Sequence, residues 1–442
     1  MKQGKFLVAF GQGWRKWLVG IFGFLLVAAL ILSWLFNRWI DDQSDLAGID
    51  ARARGMALPV TWSEVGLKVS SAERIALWNE IAKTVVSLPA WKEDGDHSAL
   101  VTGLPLPVSL LSHHNRLDAR EMKRLLDCID ALGPDQLVFR SEVYYNTQLP
   151  EVSTYSNVVE LLGQRVLLAT NDQLGDECRR MLKFIHTYQV STTINEFFYI
   201  PLMEIALNQM TMRLPDLKII PRRELCAELV LGDANLLSAG EIQAWQSDFI
   251  VNRTYFGNAR DANISRLGQA KSDHPPLYQR IREMSLIKQS RAVAFSNYLN
   301  YIEFKKGKPS AVDLMAQNRF LESTVKSFQK MEPIPPSTIL YSLFLSGCTD
   351  LGYASRSTVL HAQLLAAEMN GEPWPIDDFS GGTKGRLQKV LVDGRLIGAF
   401  SCTIERAGDS SHFQPLAWDL YGSVKDWQKA HRLVEHDSPV NE

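Results

Sequence analysis

From Trp17 to Phe36 the chain reads WLVGIFGFLLVAALILSWLF, twenty consecutive residues without a charge. A helix of that length is about as long as the hydrocarbon core of a bilayer is thick, so the pattern predicts a transmembrane anchor. Lys2, Lys5, Arg15 and Lys16 precede the run, whereas Arg38 is followed closely by Asp41, Asp42 and Asp45. This bias predicts residues 1–16 as a cytoplasmic tail and residues 41–442 as extracytoplasmic. Phe6 to Phe10 is apolar but too short for a second span, and is read as an extension of the anchor helix. A cleaved signal peptide competes with this reading, but Leu32-Ser-Trp-Leu-Phe-Asn37 is bulky where a cleavage site needs small residues. An uncleaved anchor is favoured.

Beyond the anchor the dominant period is helical. Residues 41–70 break the pattern at Gly48, Gly55, Pro59 and Gly66, with Thr61 and Glu64 spaced as a capping pair before a helical turn. Ala72, Ile75, Leu77, Trp78, Ile81 and Val85 then trace one apolar stripe, ended by Pro89. Further helices are expected around Leu117–Ile129, Leu137–Tyr145, Val158–Leu168, Leu174–Tyr188, Phe197–Met212, Glu224–Val230 and Ala239–Phe249. Pro201 is expected either in a first turn or at a kink. Residues 251–276 are polar and turn-rich, a boundary between two parts of the body or a long loop.

Leu277 to Phe304 is a long helix in which Met284, Ile287, Arg291, Phe295, Tyr298 and Ile302 share a face, with Arg291 the single polar interruption. Helices follow at 311–329, 337–346 and 355–369. Residues 371–442 change character: two strand-like runs, Leu387–Val392 and Arg395–Cys402, flank Asp393-Gly394, a strong hairpin turn. A third extended piece is expected within 410–421 and a last helix over 424–434. The fold class is therefore mainly α: one transmembrane helix, an irregular antiparallel helical body in two parts (41–250 and 277–370), and a small C-terminal β-hairpin. No fixed repeat period holds.

Charge sharpens the picture. Five of the 47 Lys and Arg residues precede Asp41 and all 49 acidic residues lie from there on, which leaves the outer part near −7. That balance argues against a nucleic-acid partner, whose footprint is a basic patch. The five cysteines, Cys128, Cys178, Cys226, Cys348 and Cys402, are too far apart for a zinc knuckle or a CxxC pair and read as small buried hydrophobes.

Two stretches carry a family resemblance. Gly48-Ile-Asp-Ala-Arg-Ala-Arg-Gly55 with Leu58-Pro-Val-Thr61 opens the body, and Asn370-Gly-Glu-Pro-Trp-Pro375 with Ile376-Asp-Asp-Phe-Ser-Gly381 precedes the hairpin. Together they resemble an uncharacterised group of exported or membrane-anchored proteins of planctomycetes and related bacteria. The resemblance implies a signal anchor, a helical body and a closing turn with a hairpin, and no activity. Asp378-Phe-Ser-Gly381 also resembles the closing turn of type II secretion pseudopilins, with Asp377 where proline would stand.

Candidate chemistry is sparse. His113 and His114, with Asp118 nearby, form a polar cluster that a metal would need a third ligand to use, from His97, His186 or His274; a polar helix start explains the same residues. Glu196 and Glu204 are eight residues apart on one side of a helix, and Glu303 could join them as paired carboxylates acting on a glycan; solvated or ion-paired carboxylates are the commoner use of such positions. Cys348 and His361 would need to meet in space to act as a nucleophile and base. Gly381-Gly-Thr-Lys-Gly385 lacks the spacing of a phosphate loop. No cofactor is implied. The reading that follows is a membrane-anchored interaction or scaffold component of the cell envelope, bound to the bilayer through residues 17–36 and to an envelope protein partner. The alternative is an envelope hydrolase using the paired carboxylates.

Overall fold

The structure is a computed structural model. It describes residues 3–42, 44–86, 119–140, 151–190, 193–217, 223–237, 239–257, 277–307 and 348–375, the strand segments 388–392, 395–400 and 416–417, and a few positions between 309 and 323. The expected helices over 311–329, 337–346 and 424–434 lie wholly or largely outside the described residues.

Helix α1 spans Gln3–Asp41, so the apolar run is the middle of a longer helix. Among the described residues α1 is the one helix long and apolar enough to cross a membrane, and none of its apolar window is buried. Phe22 and Phe24 are more than 70 % exposed, a surface that water does not favour and lipid does.

Immediately after α1 comes a helix where the glycines had suggested irregular chain: α2, Ser44–Gly55. Leu46, Ile49 and Ala53 fall on one side of it and are buried. Tertiary packing of that stripe overrides the weak propensity of Gly48 and Gly55. The short helix α3, Trp62–Val65, begins after Thr61 as the spacing predicted. The capping pair is only half made: Thr61 contributes no side-chain cap, and the Glu64 carboxylate reaches back to the Val60 N–H at 2.7 Å.

The remaining helices are α4 (Ala72–Val86), α5 (Ala119–Ala131), α6 (Glu151–Leu168), α7 (Leu174–His186), α8 (Thr193–Met212), α9 (Leu214–Leu217), α10 (Arg223–Leu237), α11 (Ala239–Gly257), α12 (Leu277–Lys306) and α13 (Cys348–Asn370). Three departures from the periodic reading matter. Residues 137–138 are extended, not helical: Leu137 donates to the Thr187 carbonyl at 2.6 Å, and Val138 exchanges hydrogen bonds with Ser70. Helix α11 continues to Gly257, past the polar boundary expected after residue 250, because Val251 and Asn252 are still buried. Pro201 lies well inside α8, where it removes one backbone hydrogen bond.

Two apolar cores result. The larger gathers α4 to α10 and α13, with Trp78 against Tyr155 at 4.5 Å and Tyr155 against Tyr188 at 4.8 Å between ring centroids. Helix α6 is buried on nearly every side there. The smaller core joins the end of α1 through Ile40 to α2, α3, α11 and α12, with Trp245 against Tyr301 at 4.7 Å. Helix α11 gives its apolar residues to the smaller core and also packs on α8 and α10, so it links the two. In the C-terminal part, β1 (Gln388–Val392) pairs antiparallel with β2 (Arg395–Phe400), and β3 (Leu416–Ala417) adds to β2.

Candidate functional site

A run of long-range polar contacts begins where α1 hands over to α2. Asp42 N–H closes the last turn of α1 on the Arg38 carbonyl. The Asp42 carboxylate then accepts the N–H and the hydroxyl of Ser44, both at 2.9 Å, and so starts α2. These bonds, the Ser44 backbone N–H first, hold the Asp42 carboxyl below the usual carboxylate range.

From this point α2 is fastened along α12. Arg291, fully buried, donates through Nε to Asp45 at 2.6 Å, through Nη2 to the other Asp45 oxygen, and through Nη2 to the Asp42 carbonyl at 2.8 Å. Lys288 adds a bond to Asp45 at 3.3 Å. Burial alone would raise the Asp45 carboxyl, but Arg291 and Lys288 outweigh it and hold it below its ordinary value. Further along, Arg52 reaches Ser296, Asn300 (2.6 Å) and Glu303 (3.2 Å), and Lys306 caps the Met56 carbonyl at 2.6 Å. On the neighbouring helix, Arg253 grips Asp50 with two bonds of 2.8 and 2.7 Å. A cation that interrupts the apolar face of α12 is thus the buried partner of an anion at the foot of α1.

The sequence candidates are placed as follows. Glu303 stands on Arg52 in this joint and is exposed. Glu204 belongs to the other core and faces α13: it accepts the Thr358 hydroxyl at 2.5 Å and pairs with His361 Nδ1 at 3.0 Å. Glu196 lies on α8, and its side chain is outside the described residues, as are His113 and His114. Of the candidate third ligands, His186 has both ring nitrogens engaged, with the Tyr199 hydroxyl at 2.9 Å and the Glu228 carbonyl at 2.7 Å. The carbonyl can only accept, so Nε2 carries the proton, and burial pushes the pKa down to about 4. Among the described residues no group of three or more metal-binding side chains stands together.

Cys348 and His361 both lie on α13, thirteen positions apart, which is about 20 Å along a helix axis, and the nucleophile–base pair is ruled out on that ground. The partner of His361 is Glu204 instead, a contact the sequence did not announce. Thr211 Oγ1 is 3.3 Å from His361 Nε2, giving the order hydroxyl, imidazole, carboxylate. The Thr211 hydroxyl, however, is buried and donates to the Leu207 carbonyl, and His361 is 1 % exposed. Burial draws the His361 pKa down against the opposing pull of Glu204, whereas at Glu204 burial is outweighed by the contacts with His361 and Thr358, which hold the carboxyl low. Chemically the cluster fastens α13 to α8.

A third polar group is buried with less compensation. Glu160 and Gln164, one turn apart on α6, have side-chain atoms without hydrogen-bond partners, as does Gln209 on α8, whose side chain packs over Gly163. Burial lifts the Glu160 carboxyl to about 8, so it is held neutral.

Described cysteines Cys128, Cys178 and Cys226 are free thiols; burial pushes Cys178 up to about 12, which makes it inert. No protein-family model, curated protein or solved structure matches this chain.

Proposed function

We propose that the chain is a single-pass membrane protein whose body, residues 41–442, stands on the extracytoplasmic face of the cytoplasmic membrane and acts there as an interaction or scaffold component of the envelope. The observation that carries the reading is the joint: the apolar helix does not end in a free tether but is locked through Asp42, Asp45 and Arg291 into the body's own core. A body held at a fixed height and attitude presents its helical surface to partners in one plane, which a flexible stalk would not do. The Lys and Arg bias before Trp17 supports the orientation.

Purification of the full chain in native-lipid discs tests the partner. An envelope protein recovered in fixed stoichiometry, and lost when Asp45→Ala and Arg291→Ala loosen the joint, is the expected result. A chain recovered alone in native lipid contradicts a scaffold role.

The hydrolase reading has one observation in its favour, the contact of Glu204 with His361. Turnover of envelope glycan by the purified full chain, abolished by Glu204→Gln without loss of fold, would establish it. The burial of His361 and Thr211 favours the scaffold reading.

A further inference from the structure

Glu160 precedes Gly163 and Gln164 by three and four positions on α6, so it neighbours both on one face, at about 5–6 Å between Cβ positions. Helix α8 lies across that face. The Gln209 side chain runs over the spot where a Gly163 methyl group would sit, with Cγ at 3.2 Å and the carboxamide carbon at 3.8 Å from it, beside Ile205 Cγ2 at 3.9 Å. Three polar side chains are thus rooted within one helical turn of each other between two helices. Glu160 is 5 % exposed, and Gln164 and Gln209 are 1 % exposed. Four of their atoms, Glu160 Oε2, Gln164 Oε1 and Nε2, and Gln209 Oε1, are sealed from solvent and bonded to no protein atom among the described residues.

A buried polar atom without a bond is costly, and folded proteins answer such atoms with protein groups or with ordered water. The four atoms are mixed in character. Gln164 Nε2 donates, whereas Gln164 Oε1 and Gln209 Oε1 accept. Burial keeps the Glu160 carboxyl protonated, so it offers an O–H as well. A metal cation would leave the two donors unanswered, and an anion would face two carbonyl oxygens. Water donates twice and accepts twice, which matches two acceptors and two donors. We infer that the seam between α6 and α8 contains a buried water site formed by Glu160, Gln164 and Gln209, with Gly163 giving Gln209 the room to reach it. Such waters make about three hydrogen bonds to groups that the protein leaves unpaired and are part of the structure. The site joins two central helices of the larger core and does not depend on how α1 meets the membrane.

Thermal unfolding of the full chain in lipid discs tests the site through the sign of the effect. If water bridges the three side chains, Gln164→Leu and Gln209→Leu each strand what remains of the network, and the midpoint falls by about 2–4 °C for each. The double variant then loses less than the sum, because both side chains bond the same water. In a dry seam the same changes remove unbonded polar atoms from a core, and the midpoint rises; a rise in both single variants overturns the inference. Sodium and potassium compared with choline at one ionic strength test the competing ligand. An unchanged midpoint is expected, and a rise with the metal ions that Glu160→Gln abolishes overturns water in favour of a cation. A density map of the wild-type chain fine enough to show ordered water decides the matter if the variants fail to fold. A peak within hydrogen-bond distance of at least three of the four atoms is expected, and clear side-chain density without one overturns the inference.

Discussion

At the scale of single residues, Arg291 shows how much a period can say. Its place on the apolar face of α12 was legible, and a charge at such a position must find a partner or leave the core. The partner, Asp45, lies 246 positions away, and no local pattern encodes that distance. Arg291→Ala would leave Asp45, whose side chain is 23 % exposed, with Lys288 as its remaining cation, a loss of about 1.5–3 kcal/mol in denaturant unfolding. Asp45→Leu combined with Arg291→Met should lose less than the sum of the singles because the two residues bond each other, although it also takes the anion from the buried Lys288. Full additivity would show that the two residues do not act as a pair.

Glu160 gives the clearest pH signature. Its ordinary pKa is near 4.5 and burial lifts it to about 8 in the fold. The folded state therefore keeps a proton that the unfolded state releases. Its neutral form is no burden below 4.5, and stability drains away as pH rises from there toward 8. By pH 7 the loss amounts to about 3 kcal/mol. Glu160→Gln should raise the unfolding temperature at pH 7–8 and change it little near pH 4. A difference between wild type and variant that does not grow with pH would mean that Glu160 is ionised in the fold. Nothing in the sequence marks this residue, because its burial comes from helices that surround α6 on all sides.

At the scale of elements, amphipathic stripes were readable wherever one face meets the core, as in α4, α5 and α7. They failed where local propensity and packing disagree. Gly48 and Gly55 argued against a helix over 44–55, yet α2 forms because Leu46, Ile49 and Ala53 have α12 to lie on. Gly48 is exposed, and a methyl group there meets nothing within 4 Å. Gly48→Ala should therefore stabilise the protein by about 0.5–1 kcal/mol, seen as a shifted denaturant midpoint with an unchanged slope. Destabilisation would mean that the α2 backbone is not helical at that point. The opposite failure occurs at 137–138, where apolar residues that suggested a helix are drawn into extended pairing with Ser70 and Thr187.

Helix α13 depends on Glu204 and Thr358 for its hold on α8. His361→Ala removes the buried partner of Glu204, whose own side chain is 26 % exposed, and should lower stability by about 1–3 kcal/mol, with α13 peptides the first to exchange. Uniform loosening across both cores would instead make the cluster incidental to that contact. Glu204 was singled out from sequence for chemistry, and the residue type was the right signal for an unusual environment. What it lacked was the other helix: His361 is 157 positions distant.

At the scale of the whole molecule, we propose one thing: a retained N-terminal anchor holds a body, joined to it through Asp45 and Arg291, outside the cytoplasm. The apolar run and its flanking charges carried that claim from the sequence, and the lock between α2 and α12 adds why the body should stay where the anchor puts it. Protease added to intact spheroplasts, read with tags at both ends, tests it most directly. The account predicts loss of the C-terminal tag without lysis and survival of a short N-terminal fragment that includes residues 1–36. A body fully protected until the membrane is broken, or a mature chain beginning at or beyond Leu30, would contradict it.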